Sequence, residues 1–358
     1  MSSELLAILV LLQAGVLVLL FTVLFWKRVA RTYWEKRNED SYEKLSTALG
    51  RWQRGEGDAS AIRRALEGCP LRSARRFLDD VGEEMEAGAR RRLRAVMRDT
   101  PWFESVCSAA RSWFWWRRMD AAQILRFLGT AEEAPLLTGL LRDRHGATRL
   151  AAMFAARSLT LPELLGPLLD RLLREERPRR KVLVDTLLAY GEELADPLLE
   201  RFRATDDPAD LEILLTVLGR LARNHPLPAV RERLLPLTSH RDTEVRIEAV
   251  RAMRSFEDDG AVRAVEAALS DEAWEVRTQA ATALGAMAGG AQVREALRGA
   301  LGDANWWVRL RAAIALRKQG DTGVRELESI EPRDDRFAHD MANYVLSLTP
   351  RAVEEYAG

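Results

Sequence analysis

Few residues in this chain carry the side chains that catalysis or metal binding needs. Four histidines (His145, His225, His240, His339) and two cysteines (Cys69, Cys107) are its only soft ligands and strong nucleophiles. No histidine is followed by Glu, and HExxH, GxGxxG, GxxxxGK[ST] and GxSxG are all absent. His145 lies in a turn and reads as a cap or surface residue. Cys69 precedes Pro70, and Cys107 falls in an apolar helical stretch, so both read as structural. The carboxylate pairs Asp79-Asp80, Glu83-Glu84 and Asp258-Asp259 have no partner constellation and read as solvated surface. Two cysteines also exclude a disulfide scaffold and a four-cysteine zinc site. The expectation is a non-enzyme with no catalytic residue, no metal and no cofactor.

Arginine and tryptophan stand out instead, because both recur at fixed spacing. The segments 244–253, 275–285 and 307–316 align on a Val-Arg dipeptide followed by an Ala-rich stretch. Extending that register gives markers at Arg118, Arg149, Arg180, Leu211, Arg246, Arg277, Arg309 and Asp340, with gaps of 31, 31, 31, 35, 31, 32 and 31 residues. The long gap falls where 224–228 (Asn-His-Pro-Leu-Pro) adds a loop. A period near 31 residues is the signature of a repeat array. Each unit reads as two helices, for example about 261–269 and about 275–286. The second carries Val276, Ala280, Ala283 and Leu284 on one face. Such a pair cannot bury its stripe alone, so it must stack on its neighbours. Asp242, Asp271 and Asp303 precede their markers by four or six residues and can cap the second helix.

The Asp…Val-Arg…Ala-Ala…Ala-Leu-Gly pattern is nearly complete over 271–285 and largely present over 303–316 and 242–253. It is partial from Asp143 through Arg149 to Ala156 and over 118–125. In this it resembles the HEAT repeat family, in particular the short, phycobilisome-lyase-like type. The resemblance spans roughly 110–350 and implies an all-α, right-handed α-solenoid of stacked helix pairs that binds other macromolecules. It also implies that a marker Arg reaches the turn Asp of its own or a neighbouring unit. Arg118, Arg149, Arg180, Arg246, Arg277 and Arg309 would then form a structural ladder with Asp143, Asp242, Asp271 and Asp303. The alternative is a basic stripe for an acidic ligand. Leu211 breaks the pattern.

Trp115, Trp274 and Trp306 occupy one register position, three before the marker, and Trp116 and Trp307 match one residue later. Aromatics at the start of a second helix either cover the gap between turns or form an exposed partner-binding edge. The Trp113-Phe114-Trp115-Trp116 cluster is hard to hide, because four adjacent rings cannot all face one core. Trp113, Phe114, Trp115, Trp116, Trp274, Trp306 and Trp307 are therefore the candidate partner-binding residues.

Residues 5–26 contain no charge, and 16 of the 22 are Leu, Ile, Val or Phe. As a helix they rise about 33 Å, enough to cross a hydrocarbon core of about 30 Å. No positive residue precedes the run, and Lys27, Arg28, Arg31, Lys36 and Arg37 follow it, so it reads as an uncleaved anchor with its N-terminus outside. The expected plan is 1–4 outside, 5–26 transmembrane, 27–57 a helical stalk and linker, 58–110 a helical cap or degenerate repeats, 111–350 the solenoid and 351–358 a tail. Lys occurs only five times against a Lys-plus-Arg total of 54, which points to GC-rich, bacterial coding.

Lys plus Arg equals Asp plus Glu at 54 each, but the charge is split. Residues 27–120 hold 21 basic and 15 acidic side chains, and 121–358 hold 33 and 38. The basic part lies near the expected anchor, where anionic lipid would attract it. The acidic part disfavours nucleic acid. The sequence thus predicts a single-pass scaffold of the bacterial inner membrane, with most of the chain cytoplasmic. It would bind membrane-associated protein partners, in an envelope or surface-polysaccharide assembly, and touch the bilayer through 5–26. The alternatives are a HEAT-like enzyme of bilin-lyase or glycosylase type and a nucleic-acid-binding HEAT module.

Overall fold

In a computed structural model, residues 3–357 are described, except 83, 84, 224, 226, 227, 257, 288, 289 and 334. The side chains of 1–12, Ala14, Ala30, Arg177, Ala229 and Ala357 also lie outside the described set. The chain divides into two compact units, Met1–Leu164 and Leu165–Gly358.

The first unit contains α1 (Ser3–Gln53), α2 (Ala59–Leu66), α3 (Leu71–Gly82), α4 (Ala87–Arg98), α5 (Pro101–Ala109), α6 (Trp115–Leu128), α7 (Ala134–Leu141) and α8 (Gly146–Leu159). The second contains α9 (Leu165–Leu172), α10 (Arg177–Leu188), α11 (Ala195–Arg203), α12 (Pro208–Ala222), α13 (Pro228–Leu234), α14 (Thr243–Met253) and α15 (Asp259–Ala267). It continues with α16 (Trp274–Leu284), α17 (Ala291–Ala300), α18 (Trp306–Lys318), α19 (Asp321–Glu328), α20 (Arg336–Ser347) and α21 (Pro350–Ala357). Among the described residues there is no strand.

Within each unit, helices pack on their neighbours in sequence order. α6 packs on α8, and α12, α14, α16 and α18 pack one on the next, while the intervening helices pair with them. The amphipathic stripe explains this. In α16, Val276, Ala280, Ala281, Ala283 and Leu284 are fully buried. Small residues on the second helices permit close approach. A Cβ built on Gly285 would stand 2.6 Å from the Cβ of Ala315, so only glycine lets the end of α16 lie against α18.

The N-terminal region differs in part from the expected plan. α1 is one helix of 51 residues, and its second half does not stand apart as a stalk. Leu45, Ala48 and Leu49 are buried against α2 and α3. Tyr42 Oη donates to Asp80 Oδ2 at 2.8 Å, and Arg76 pairs with Glu39 at 2.7 Å. Gly50 lies inside the helix, which ends at Gln53. The tail forms α21, which packs on α18 and buries Val353.

Among the described residues, no helix is long and apolar enough to cross a membrane. In the expected span 5–26, the side chains of 5–12 and Ala14 lie outside that set. Its part with described side chains falls within 13–26, a rise of about 21 Å, short of a hydrocarbon core. The loop expected at 224–228 also lies largely outside the described residues, as does the pair Glu83-Glu84.

The arginine ladder and a candidate partner-binding edge

Three of the marker arginines, Arg118, Arg246 and Arg277, hold two turns at once. Arg118 Nη1 donates to the carbonyls of Ser112 and Trp113, both at 2.8 Å, while its Nε and Nη2 fork onto the Asp143 carboxylate. Arg246 donates to the carbonyls of His240 (2.9 Å) and Arg241 (3.3 Å) and forks onto Asp271 at 2.8 and 2.9 Å. Arg277 does the same with Asp271 (2.9 Å) and Glu272 (3.2 Å) and forks onto Asp303 at 2.7 and 3.0 Å. Each fork reaches an Asp 25 or 26 residues further on, so the Asp belongs to the next repeat. The carbonyl bonds close the arginine's own turn. Planar guanidinium geometry suits this double task, because its donors point in fixed, diverging directions.

Each bridged Asp also braces its own turn, accepting from the amide of the N-cap residue two positions on; the N-caps themselves are His145, Ala273 and Asn305, so the helix capping expected of Asp271 and Asp303 does not occur. Asp143 accepts from the His145 amide at 2.7 Å, Asp271 from Ala273 at 2.9 Å and Asp303 from Asn305 at 2.7 Å. Burial pushes the Asp143 carboxyl up. The Arg118 hydrogen bonds and the His145 amide outweigh that and hold it below the ordinary carboxylate value. Asp303 is held down in the same way by Arg277 and the Asn305 amide against burial. The hydrogen bonds to Asp143, Asp271 and Asp303 raise Arg118, Arg246 and Arg277.

Asp242 has a different job. It stands four residues before Arg246, where Asp143, Asp271 and Asp303 stand six before their own markers. It is the N-cap of α14, accepting from the Glu244 and Val245 amides at 3.0 and 3.3 Å. The six-before position is His240, whose Nδ1 accepts from the Asp242 amide at 3.1 Å. The preceding marker is Leu211, which is buried. With no arginine reaching forward, the turn needs no carboxylate, and the His240 ring nitrogen serves as its acceptor. Arg149, Arg180 and Arg309 close their own turns: Nη1 of Arg149 reaches the Asp143 carbonyl at 3.0 Å, Nη2 of Arg180 the Glu175 carbonyl at 3.1 Å, and Nη1 of Arg309 the Asp303 carbonyl at 2.7 Å. The Arg309 guanidinium also lies 5.4 Å from the Phe337 ring centroid.

All seven candidate aromatics are exposed, between 37% and 78%. In the first unit, Phe114 stacks on Trp116 at 4.6 Å, Trp115 stacks on the His145 ring at 3.9 Å, and Arg144 caps Trp113 at 5.1 Å. Trp306 meets Trp307 edge-on at 4.8 Å in the second unit, and Trp274 starts the preceding second helix. The first four residues therefore form one cluster, and Trp274, Trp306 and Trp307 belong to the other unit. The Trp115–His145 stack was not legible in the sequence, because the residues are 30 apart and no motif joins them.

The chemistry-bearing residues are placed as follows. Burial pushes the Cys69 thiol up to about 11 and also raises Cys107, so neither is a thiolate at neutral pH. His225 lies 3.2 Å from Glu192, and His339 Nδ1 lies 2.7 Å from the Ile330 carbonyl. Among the described residues, no group of three His, Cys, Asp or Glu could hold a metal ion.

Residues 195–285, 231–317 and 262–332 match the family model for HEAT repeats. Among curated proteins, none matches the sequence. Among solved structures, the chain is similar to the karyopherin Kap121p bound to the extreme C-terminus of the protein phosphatase Cdc14p (TM-score 0.59, 10% identity, 81% of this chain and 38% of that one). It is similar to Kap121p bound to the SUMO protease Ulp1p (TM-score 0.58, 10% identity, 90% of this chain and 44% of that one). A Kap121p mutant structure gives a TM-score of 0.59 at 9% identity, over 89% of this chain and 45% of that one. The chain thus spans less than half the length of these karyopherins. Repeat spacing, stacked helix pairs and these likenesses agree on an all-α, HEAT-like solenoid fold.

Proposed function

We propose that this chain is a non-catalytic scaffold of the bacterial inner membrane that holds a membrane-associated protein partner, in an envelope assembly, through its exposed aromatic residues. The observation that carries the reading is the repeated exposure of tryptophan at helix starts, at Trp113, Trp115 and Trp116 and again at Trp274, Trp306 and Trp307. An exposed indole is retained at a cost in solubility, and clustered aromatics with arginine are what protein interfaces concentrate at their centres. Arg144 on Trp113 adds that arginine. The Kap121p structures, by their descriptions, hold a phosphatase C-terminus and a SUMO protease, so a solenoid of this kind can present a protein-binding surface.

The anchor is supported by the uncharged run 5–26 and by α1 itself. Leu17, Leu19, Phe21 and Leu24 are more than half exposed on a helix that packs on α2 and α3 only in its second half. Water does not tolerate such a surface; lipid does. The basic residues after the run support a cytoplasmic side for 27–358. Tethering raises the local concentration of a membrane partner, so weak contacts suffice. The high thiol pKa values and the packing of His145 on Trp115 support a binding role over a catalytic one.

The test is cross-linking in intact membranes followed by mass spectrometry, with the wild type beside a W113S/W116S variant. The chain should sediment with membranes and yield protein neighbours, which the variant loses at least about tenfold, as for an interface centre. Recovery of no neighbour by the wild type, or equal recovery by both, refutes the scaffold reading.

A further inference from the structure

The geometry points to an anion-binding crevice in the second unit that takes a carboxylate side chain from an acidic segment of the protein partner. This rests on the scaffold reading and deepens it. The crevice lies where the ends of α14 and α16 meet α18, with a volume of about 140 Å³. Its floor is small and apolar, with Gly285, Ala315 and Ile314, and its polar lining is Arg254, Thr282, Arg311 and Lys318, with no carboxylate. Gly285 and Ala315 approach each other closely there, with room for no Cβ on Gly285.

The wall itself holds three cations and no carboxylate, and Arg254 is the one of them left without a partner among the described residues. Arg254 is half-buried and has no hydrogen-bond or ion-pair partner among the described residues. Burial and the neighbouring Arg223 and Arg251 all disfavour its charge, and only Glu248 opposes them. Glu248 is itself engaged by Arg251 and by the Thr216 hydroxyl at 3.2 Å. A half-buried guanidinium among like charges costs stability unless an anion arrives. Arg311 is likewise desolvated.

The chain's own C-terminal helix shows which chemistry the rim accepts. α21 packs on α18, its Tyr356 carbonyl accepts from Arg311, and its Glu354 lies 3.8 Å from Lys318. An acidic helix end therefore already uses the outer cations, and Arg254 is left for a second acidic group. A site of this volume admits a carboxylate and is well below the size of a nucleotide pocket. The surrounding 121–358 carries 33 basic against 38 acidic side chains, so a nucleic-acid backbone leaving the crevice would meet net repulsion.

The probe is a fluorescein-labelled peptide of ten glutamates, titrated by anisotropy against the full chain in detergent micelles. The wild type should bind, and binding should weaken with salt. Arg254→Gln should lower affinity about tenfold, and R254Q/R311Q should abolish binding. The melting temperature of Arg254→Gln should stay level or rise, because the lost charge had no partner; a structural arginine would lower it. Absence of wild-type binding, equal binding by wild type and Arg254→Gln, or a lower melting temperature in Arg254→Gln overturns the assignment. Competition by inorganic phosphate or a single-stranded 20-nucleotide DNA at concentrations at which free glutamate fails to compete also overturns it, in favour of a phosphate ligand. W113S/W116S should bind the peptide normally. Loss of partner cross-links with intact peptide binding therefore bears on the aromatic edge alone, and the reverse pattern on the crevice alone.

Discussion

Arg277→Ala is the sharpest test of the ladder. The substitution removes two charge-assisted bonds to Asp303, at 2.7 and 3.0 Å, and two bonds to the carbonyls of Asp271 and Glu272, at 2.9 and 3.2 Å. It leaves the Asp303 carboxylate, 11% exposed, with the Asn305 amide as its remaining named donor. Breaking a buried pair by removing one member costs about 3–5 kcal/mol, and the residual exposure here favours the low end, about 3 kcal/mol. For a unit of this size, each kcal/mol moves the melting temperature by about 2–4 °C, so the expected drop is about 6–12 °C. Differential scanning calorimetry at neutral pH reads it. The effect is also pH-dependent. Asp303 titrates below the ordinary carboxylate value in the folded chain, so its stabilisation is present above that ordinary value and is lost as pH falls through the lower folded one. The gap between wild type and Arg277→Ala should therefore close in strong acid. A double-mutant cycle with Asp303→Ala should show coupling above about 1 kcal/mol. A drop under about 2 °C, or a stable variant that has lost its partner, would refute the structural role and make Arg277 a binding residue.

Two further outcomes follow from packing. Gly285→Ala should destabilise by about 1–3 kcal/mol in urea unfolding with an unchanged m-value, because its Cβ would stand 2.6 Å from Ala315; a neutral result would mean that α16 and α18 can separate freely. Cys69 should alkylate with iodoacetamide at pH 7.5 at least about a hundredfold more slowly in the folded chain than in urea, since its thiol is buried and titrates at about 11; comparable rates would show that the site opens readily.

The repeat and its helices were legible in the sequence because their signals are local. A stripe at 276, 280, 283 and 284 needs only helical spacing, and the N-cap at Asp242 acts within three residues, whereas α18 is capped by Asn305 and not by the expected Asp303. The uncharged run 5–26 and the marker register belong to the same class. Tertiary structure decided whatever depends on how one repeat sits on the next. It determined that each arginine fork reaches the Asp 25 or 26 residues ahead while its third nitrogen closes its own turn, and that His240 stands in for an Asp where Leu211 sends no arginine. It also docked the second half of α1 onto α2 and α3 and set Arg254, Arg311 and Lys318 around one crevice. Arginine is too common in this chain for composition to mark those few out. Only the packing of successive helices separates a guanidinium that has found its acceptor from one that has not.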